Sequence, residues 1–341
     1  MDPVQARSVT LPFGLLKAQA AGIWACAALA LIATFAGHFL PLIGAPVIAI
    51  VLGVAIRAYR PLPAALAPGV TFTGKKVLQA AIIVSGFGLS FLTVVQTGIA
   101  TLPVTLATIA VALILAPLLG RLLQVRGVLQ TLIGVGTAIC GASAIAAVAS
   151  VLEPDEEQMA LAIATIFLYN VAAVLIFPPL GHLMSLGQMA FGVWAGTAIN
   201  DTSSVVAAGY AYGADAGAHA TIVKLTRATF ILPIVGAIAV MHARATRAHG
   251  TSVPWMSIVP WFIVWFLAAA LINTTGAVPA TWHVGITAVA AFLIAMALAA
   301  IGLQTNFIRL IHAGARPLAL GFCLWIAVAV TSLIVQHATG T

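Results

Sequence analysis

The sequence predicts an all-α polytopic membrane protein with an inverted repeat, and three observations carry that expectation. Only 6% of the 341 residues are charged against 62% hydrophobic, whereas a soluble domain carries about a quarter charged residues. So few charges cannot clothe a soluble surface, so most of the surface must meet lipid. Apolar stretches of about 20 residues, the length that crosses a bilayer as a helix, recur along the chain. Two further apolar stretches are broken in their middles by glycine and polar residues, and these two resemble each other.

Residues 1–21 are expected to form a cytoplasmic segment carrying Arg7 and Lys17. Basic residues before an apolar run can mark a secretory leader. No convincing small-residue cleavage site follows, so residues 22–40 are read as the first membrane helix. Residues 22–337 then make one transmembrane domain with about nine full spans. These are expected near 22–40, 44–60, 77–97, 99–119, 159–180, 219–243, 254–275, 281–302 and 317–337. Pro41, Pro46, Gly98, Pro178, Pro179, Pro279 and Pro317 mark their ends, where proline and glycine cost least. The interrupted elements lie near 129–152 and 188–212.

Basic residues set the orientation, because cytoplasmic loops hold the excess of lysine and arginine. With the N-terminus inside, Arg7, Lys17, Arg57, Arg60, Lys75, Lys76, Arg121, Arg126, Arg244, Arg247, Arg309 and Arg316 all fall on the cytoplasmic side, 12 of the 14 basic residues. The C-terminus then ends on the periplasmic side of a bacterial inner membrane. The net charge of +7 does not point to nucleic acid, since these residues are scattered between apolar spans rather than gathered in a patch. Cys26, Cys140 and Cys323 all lie in apolar stretches, which implies no disulfide framework.

Residues 136–148 read GTAICGASAIAAV and residues 196–208 read GTAINDTSSVVAA, six of thirteen positions being identical at an offset of 60. A weaker echo joins Gly88-Leu89, followed by Gly98 and Pro103, to Gly302-Leu303, followed by Gly314 and Pro317. These two helix pairs run in opposite directions in the orientation above, the trace an inverted repeat leaves. Each half of an interrupted element is about 11 residues, roughly 16 Å of helix, which reaches the bilayer midplane. Each element therefore either crosses as a broken helix or returns as a re-entrant hairpin; the hairpin is slightly favoured.

A broken helix leaves backbone groups unpaired at membrane depth, tolerated only where protein or a water-filled cavity covers them. The N-terminus of a second half-helix offers free N–H donors and a partial positive charge, which suit an anion. The candidate substrate-binding residues are therefore Gly141, Ala142 and Ser143 in one element and Asn200, Thr202, Ser203 and Ser204 in the other. Small residues at these points also serve helix packing alone. Asp201 is the acid at membrane depth. It suits a helix N-cap and, compatibly, a coupling site for H+ or Na+. Lys224 and Arg227 lie within the 219–243 span, Arg227 roughly 12 Å deep, with either Asp201 or an anionic substrate as partner. Asn170 could line the site or join helices, and Cys140 is a further candidate. The acidic run 153–157 reads as a solvated loop.

The strings GTAICGASAIAAV, AGTAINDTSSVVAAGYAYG with the following KLTRATFILPIV, and ALAAIGLQTNF resemble the YeiH-like family of sulfate exporters over residues 22 to 337. That resemblance implies a bacterial inner-membrane carrier related in fold to cation/proton antiporters and bile-acid transporters, exporting sulfate or a small organosulfonate. The partners expected are a small anionic solute and membrane lipid, with pairing to a second copy in a homodimer left open. A sodium/proton antiporter or a sodium-coupled organic anion symporter using Asp201 is the alternative carrier. An intramembrane enzyme is less favoured, because no HExxH, GxSxG or paired intramembrane aspartates occur. No metal site or cofactor is expected.

Overall fold

Helix forms wherever this chain is apolar and unbroken, because a segment in lipid must satisfy its backbone groups internally. A computed structural model of the chain describes residues 12–39, 44–246, 260–305 and 314–341. Arg7, Arg247, Arg309 and the first part of the 254–275 span lie outside them. The chain is an all-α polytopic membrane protein. Among the described residues, six helices are long and apolar enough to cross a bilayer, or seven if one bent pair counts as a span. Large side chains such as Trp24, Phe35, Leu122 and Leu183 stand exposed on the outer surface, as lipid contact requires.

In chain order the helices among the described residues are α1 (Pro12–Phe39), α2 (Gly44–Tyr59), α3 (Ala67–Gly86), α4 (Phe91–Ala100), α5 (Leu102–Leu122), α6 (Val128–Ala138), α7 (Ala142–Leu152) and α8 (Glu156–Leu183). Then come α9 (Gln188–Ala198), α10 (Thr202–Tyr212), α11 (Ala214–Thr229), α12 (Ile231–Thr246), α13 (Trp261–Thr274), α14 (His283–Gln304) and α15 (Ala315–Thr339). One group packs α1, α2, α3, α13 and α14 together. The second gathers α5 to α12 with α15, and α10 meets α2 and α14 at the seam between them.

Small residues set the closest crossings in the first group. A Cβ on Gly302 of α14 would stand 2.3 Å from the Ile50 carbonyl oxygen of α2, and one on Gly22 of α1 would stand 2.3 Å from the Leu66 oxygen. Without a hydrophobic drive between helices in lipid, such backbone approach is what holds them.

Several boundaries differ from the sequence expectation. The expected 77–97 span is instead α3 followed by α4 across a 106° bend. The bend falls at Phe87–Ser90, where the Ser90 hydroxyl caps α4 by accepting from the Thr93 N–H at 3.0 Å. The acidic run is partly helical: Asp155 caps α8 by accepting from the Gln158 N–H, and Glu156 and Glu157 occupy its first turn. Carboxylates there oppose the positive end of the helix dipole. Pro178 and Pro179 lie inside α8, which runs on to Leu183, so they do not end it.

Both interrupted elements are hairpins. In the second, α9 leaves from beside the place to which α10 returns. Phe191 stacks on Tyr212 with ring centroids 3.8 Å apart, and the Gln188 Oε1 accepts from the Asp215 and Ala216 N–H groups. In the first, a Cβ on Gly136 would lie 3.0 Å from Ile145, nine residues on. A straight helix would separate those residues by about 13 Å, so α7 folds back on α6. The hairpins adjoin opposite ends of α8, whose 28 residues span roughly 42 Å. They therefore enter from opposite ends of the bundle.

Candidate functional site

The two hairpin tips meet beside the middle of α8. A Cβ on Gly141 would lie 3.7 Å from both Asn170 Nδ2 and Asp201 Cβ. Gly141 has φ +66°, a left-handed conformation that glycine takes without steric cost, and this turns the chain from α6 into α7. Asn170 is 2% exposed. Its Oδ1 accepts from the Asn200 N–H at 3.1 Å and the Asp201 N–H at 3.2 Å. It joins helices and lines the site at once.

The second half-helices begin differently. The α10 N-terminus is capped from within: Asp201 Oδ2 accepts from the Ser203 and Ser204 N–H groups and from the Ser203 hydroxyl. The α7 N-terminus has glycine at its cap position and no side-chain cap. One tip therefore carries its own carboxylate. The other leaves the donors of Ala142 and Ser143 without a side-chain partner among the described residues.

Lys224 and Arg227 answer the opposite ends of the first half-helices. Helix C-terminal carbonyls carry partial negative charge and lack intrahelical partners. Lys224 Nζ donates to Ile139 O at 2.7 Å and Ile199 O at 3.0 Å. Arg227 donates through Nε to Ala138 O and through Nη2 to Thr137 O, each at 2.7 Å, and through Nη1 to Thr197 O. Both side chains are fully buried. Of the two partners expected for Arg227, Asp201 is not one: the guanidinium donates to backbone carbonyls, with no ion pair to Asp201 among the described residues. Both residues also lie deeper than the sequence suggested. Helix α11 starts at Ala214 rather than near 219, because Gln188 caps its first turn, which puts Arg227 roughly 20 Å along it.

A cavity of about 460 Å³ opens beside the tips, within the range of small-ligand sites. Of the sequence candidates, Cys140, Ala142, Ser143, Asn170, Asp201, Thr202 and Ser203 line it. Gly141, Asn200, Ser204, Lys224 and Arg227 are buried behind that wall, and the Asn200 Oδ1 has no hydrogen-bond partner among the described residues. The far wall comes from α3 and α14, through Lys75, Lys76, Gln79 and Gln304. Sequence reasoning missed these, because nothing in the local pattern of α3 says which distant helices it will face. A smaller crevice of about 150 Å³ lies at the other end of the same two helices, where Tyr210 faces Ser85.

Over residues 21–321 the chain matches the family described as conserved hypothetical protein 698. It is 41% identical to a UPF0324 membrane protein of Fusobacterium nucleatum, the alignment covering 94% of this chain and 98% of that one. It is 38% identical to a UPF0324 membrane protein of Streptococcus agalactiae, over 96% of this chain and 99% of the relative. A Streptococcus pneumoniae relative is 40% identical over 95% and 98%. The chain therefore belongs to the conserved hypothetical protein 698 family of membrane proteins, whose relatives here are called UPF0324 membrane proteins.

Proposed function

We propose that the chain is a secondary-active carrier that exports a small anion, of the sulfate or organosulfonate class, across a bacterial inner membrane. The observation that carries this reading is the cavity into which the uncapped N-terminus of α7 opens, at the meeting point of two hairpins from opposite ends. An oxyanion suits such donors, since N–H groups and the helix dipole act on it together. The Ser143 and Thr202 hydroxyls add donors. The resemblance to YeiH-like exporters points to the same substrate class.

On this reading the hairpins are the two halves of an inverted repeat. The cavity mouth at Lys75 and Lys76 faces the cytoplasm, following the excess of basic residues on that side. The Ser85–Tyr210 crevice is the closed outer mouth, and transport alternates along the wall of α3 and α14.

Asp201 serves as a cap that also carries a coupling proton or sodium ion. Its place on the cavity wall supports the second reading, a cation exchanger. One flux experiment in proteoliposomes separates these roles, with radiolabelled sulfate and an imposed pH or sodium gradient. Asparagine caps about as well as aspartate, so Asp201→Asn is expected to keep sulfate exchange and lose gradient-driven accumulation. Asp201→Ala is expected to lose about 1 kcal/mol of stability as well. Full gradient-driven transport by Asp201→Asn would reduce Asp201 to a cap. Cation exchange without any sulfate flux would favour the cation exchanger.

A further inference from the structure

The wall of the cavity opposite the hairpin tips has an unusual backbone. Residues Thr73–Val77 of α3 form a π-helical turn, a widened turn that recurs at functional sites. In a regular α-helix only a stripe of residues spaced three or four apart faces one neighbour. Here the neighbours Gly74, Lys75 and Lys76 all line the cavity, with Leu78 and Gln79 following. Gly74 lets the turn lie against α14: a Cβ there would stand 2.9 Å from Gln304 Nε2. That amide donates to Ala300 O at 3.1 Å and Val70 O at 3.4 Å, which ties α14 to the start of the turn.

Two lysines on adjacent residues thus line the cavity, and both are exposed. Deeper in, Lys224 and Arg227 lie behind the tips. Among the described residues, Asp201 is the one carboxylate on the cavity wall, and its Oδ2 is already held by three donors. Charges of one sign lining a low-dielectric cleft focus the field and concentrate ions of the opposite sign.

We propose that Lys75 and Lys76, presented together by the π turn, form an anion-collecting vestibule that sets the charge selectivity of the cavity. The ligand class is a small anion, held loosely at the lysines before it reaches Ala142 and Ser143. The assignment of those anions as cargo rests on the carrier reading, whereas the electrostatic property does not.

The test measures the field without any transport. In a variant carrying Cys26→Ala and Cys323→Ala, Cys140 is left as a reporter on the cavity wall. Its reaction rates are compared for two thiol-specific methanethiosulfonate reagents of similar size, one ending in a sulfonate and one in a trimethylammonium. Both are added from the Lys75 side. The anionic reagent is expected to react roughly tenfold faster. In Lys75→Gln/Lys76→Gln, or in the parent at about 1 M salt, where the Debye length is about 3 Å, that preference should nearly vanish. Ser143→Cys gives a second reporter. A parent ratio near one, a ratio unchanged in the double variant, or reaction of both reporters only from the opposite side would overturn the vestibule. A lysine-dependent ratio with no flux of any anion would leave the vestibule standing and sink the carrier.

Discussion

Arg227→Ala is expected to abolish transport and to lower the thermal stability of the detergent-solubilised protein sharply. The guanidinium meets three backbone carbonyls from two separate hairpins. Each buried acceptor left without a partner costs about 1–3 kcal/mol, so the whole loss is on the order of 4 kcal/mol. Arg227→Lys should recover part of it. A single ammonium has enough donors but not the planar fork that reaches carbonyls on both sides. The measurement is a thermal unfolding curve beside a flux assay for parent, alanine and lysine variants. An alanine variant that melts and transports like the parent would show that the carbonyls find other donors, and the assigned role would fall.

Asn170 gives the second large effect, and here two substitutions should part company. Asn170→Leu removes the acceptor for the Asn200 and Asp201 N–H groups. Two stranded donors at membrane depth should cost roughly 2–5 kcal/mol and loosen the second tip. Asn170→Asp keeps an acceptor of the same shape, so the fold should survive. It adds a negative charge beside Asp201 on the cavity wall, which should weaken anion binding about tenfold or more. The readouts are melting temperature and the concentration of sulfate that half-saturates exchange. Asn170→Asp with parental sulfate affinity would argue that the anion binds elsewhere.

Much of this was legible in the sequence. The class follows from composition, because a chain with so few charges has no other way to be solvated. The two interrupted elements are visible because their tips need glycine, hydroxyls and an aspartate that unbroken spans avoid. Asp201 reads as a cap for the same reason, and Asp201 Oδ2 does accept from the N–H groups two and three residues on. The hairpin geometry is only slightly favoured by the sequence. Whether α7 turns back or continues depends on the backbone at Ile139–Gly141, and small residues permit both. Asp201 stood as a candidate partner of Arg227 because lone backbone carbonyls leave no letter in a sequence, whereas a carboxylate does. The cavity mouth was hidden for a related reason. Lys75 and Lys76 look like ordinary loop cations until the π turn shows that they face the hairpins.

Lys224 and Arg227 also have a mechanical consequence. Each touches both hairpins: Lys224 reaches Ile139 and Ile199, and Arg227 reaches Thr137, Ala138 and Thr197. Two loops that arrive from opposite ends are thereby riveted to one rod, α11. Neither tip can slide or tilt without dragging the other, so the pair behaves as one stiff body. On the carrier reading, the movement would lie elsewhere, along the seam where α10 meets α2 and α14. A displacement begun at one face of the membrane would then be transmitted whole to the other.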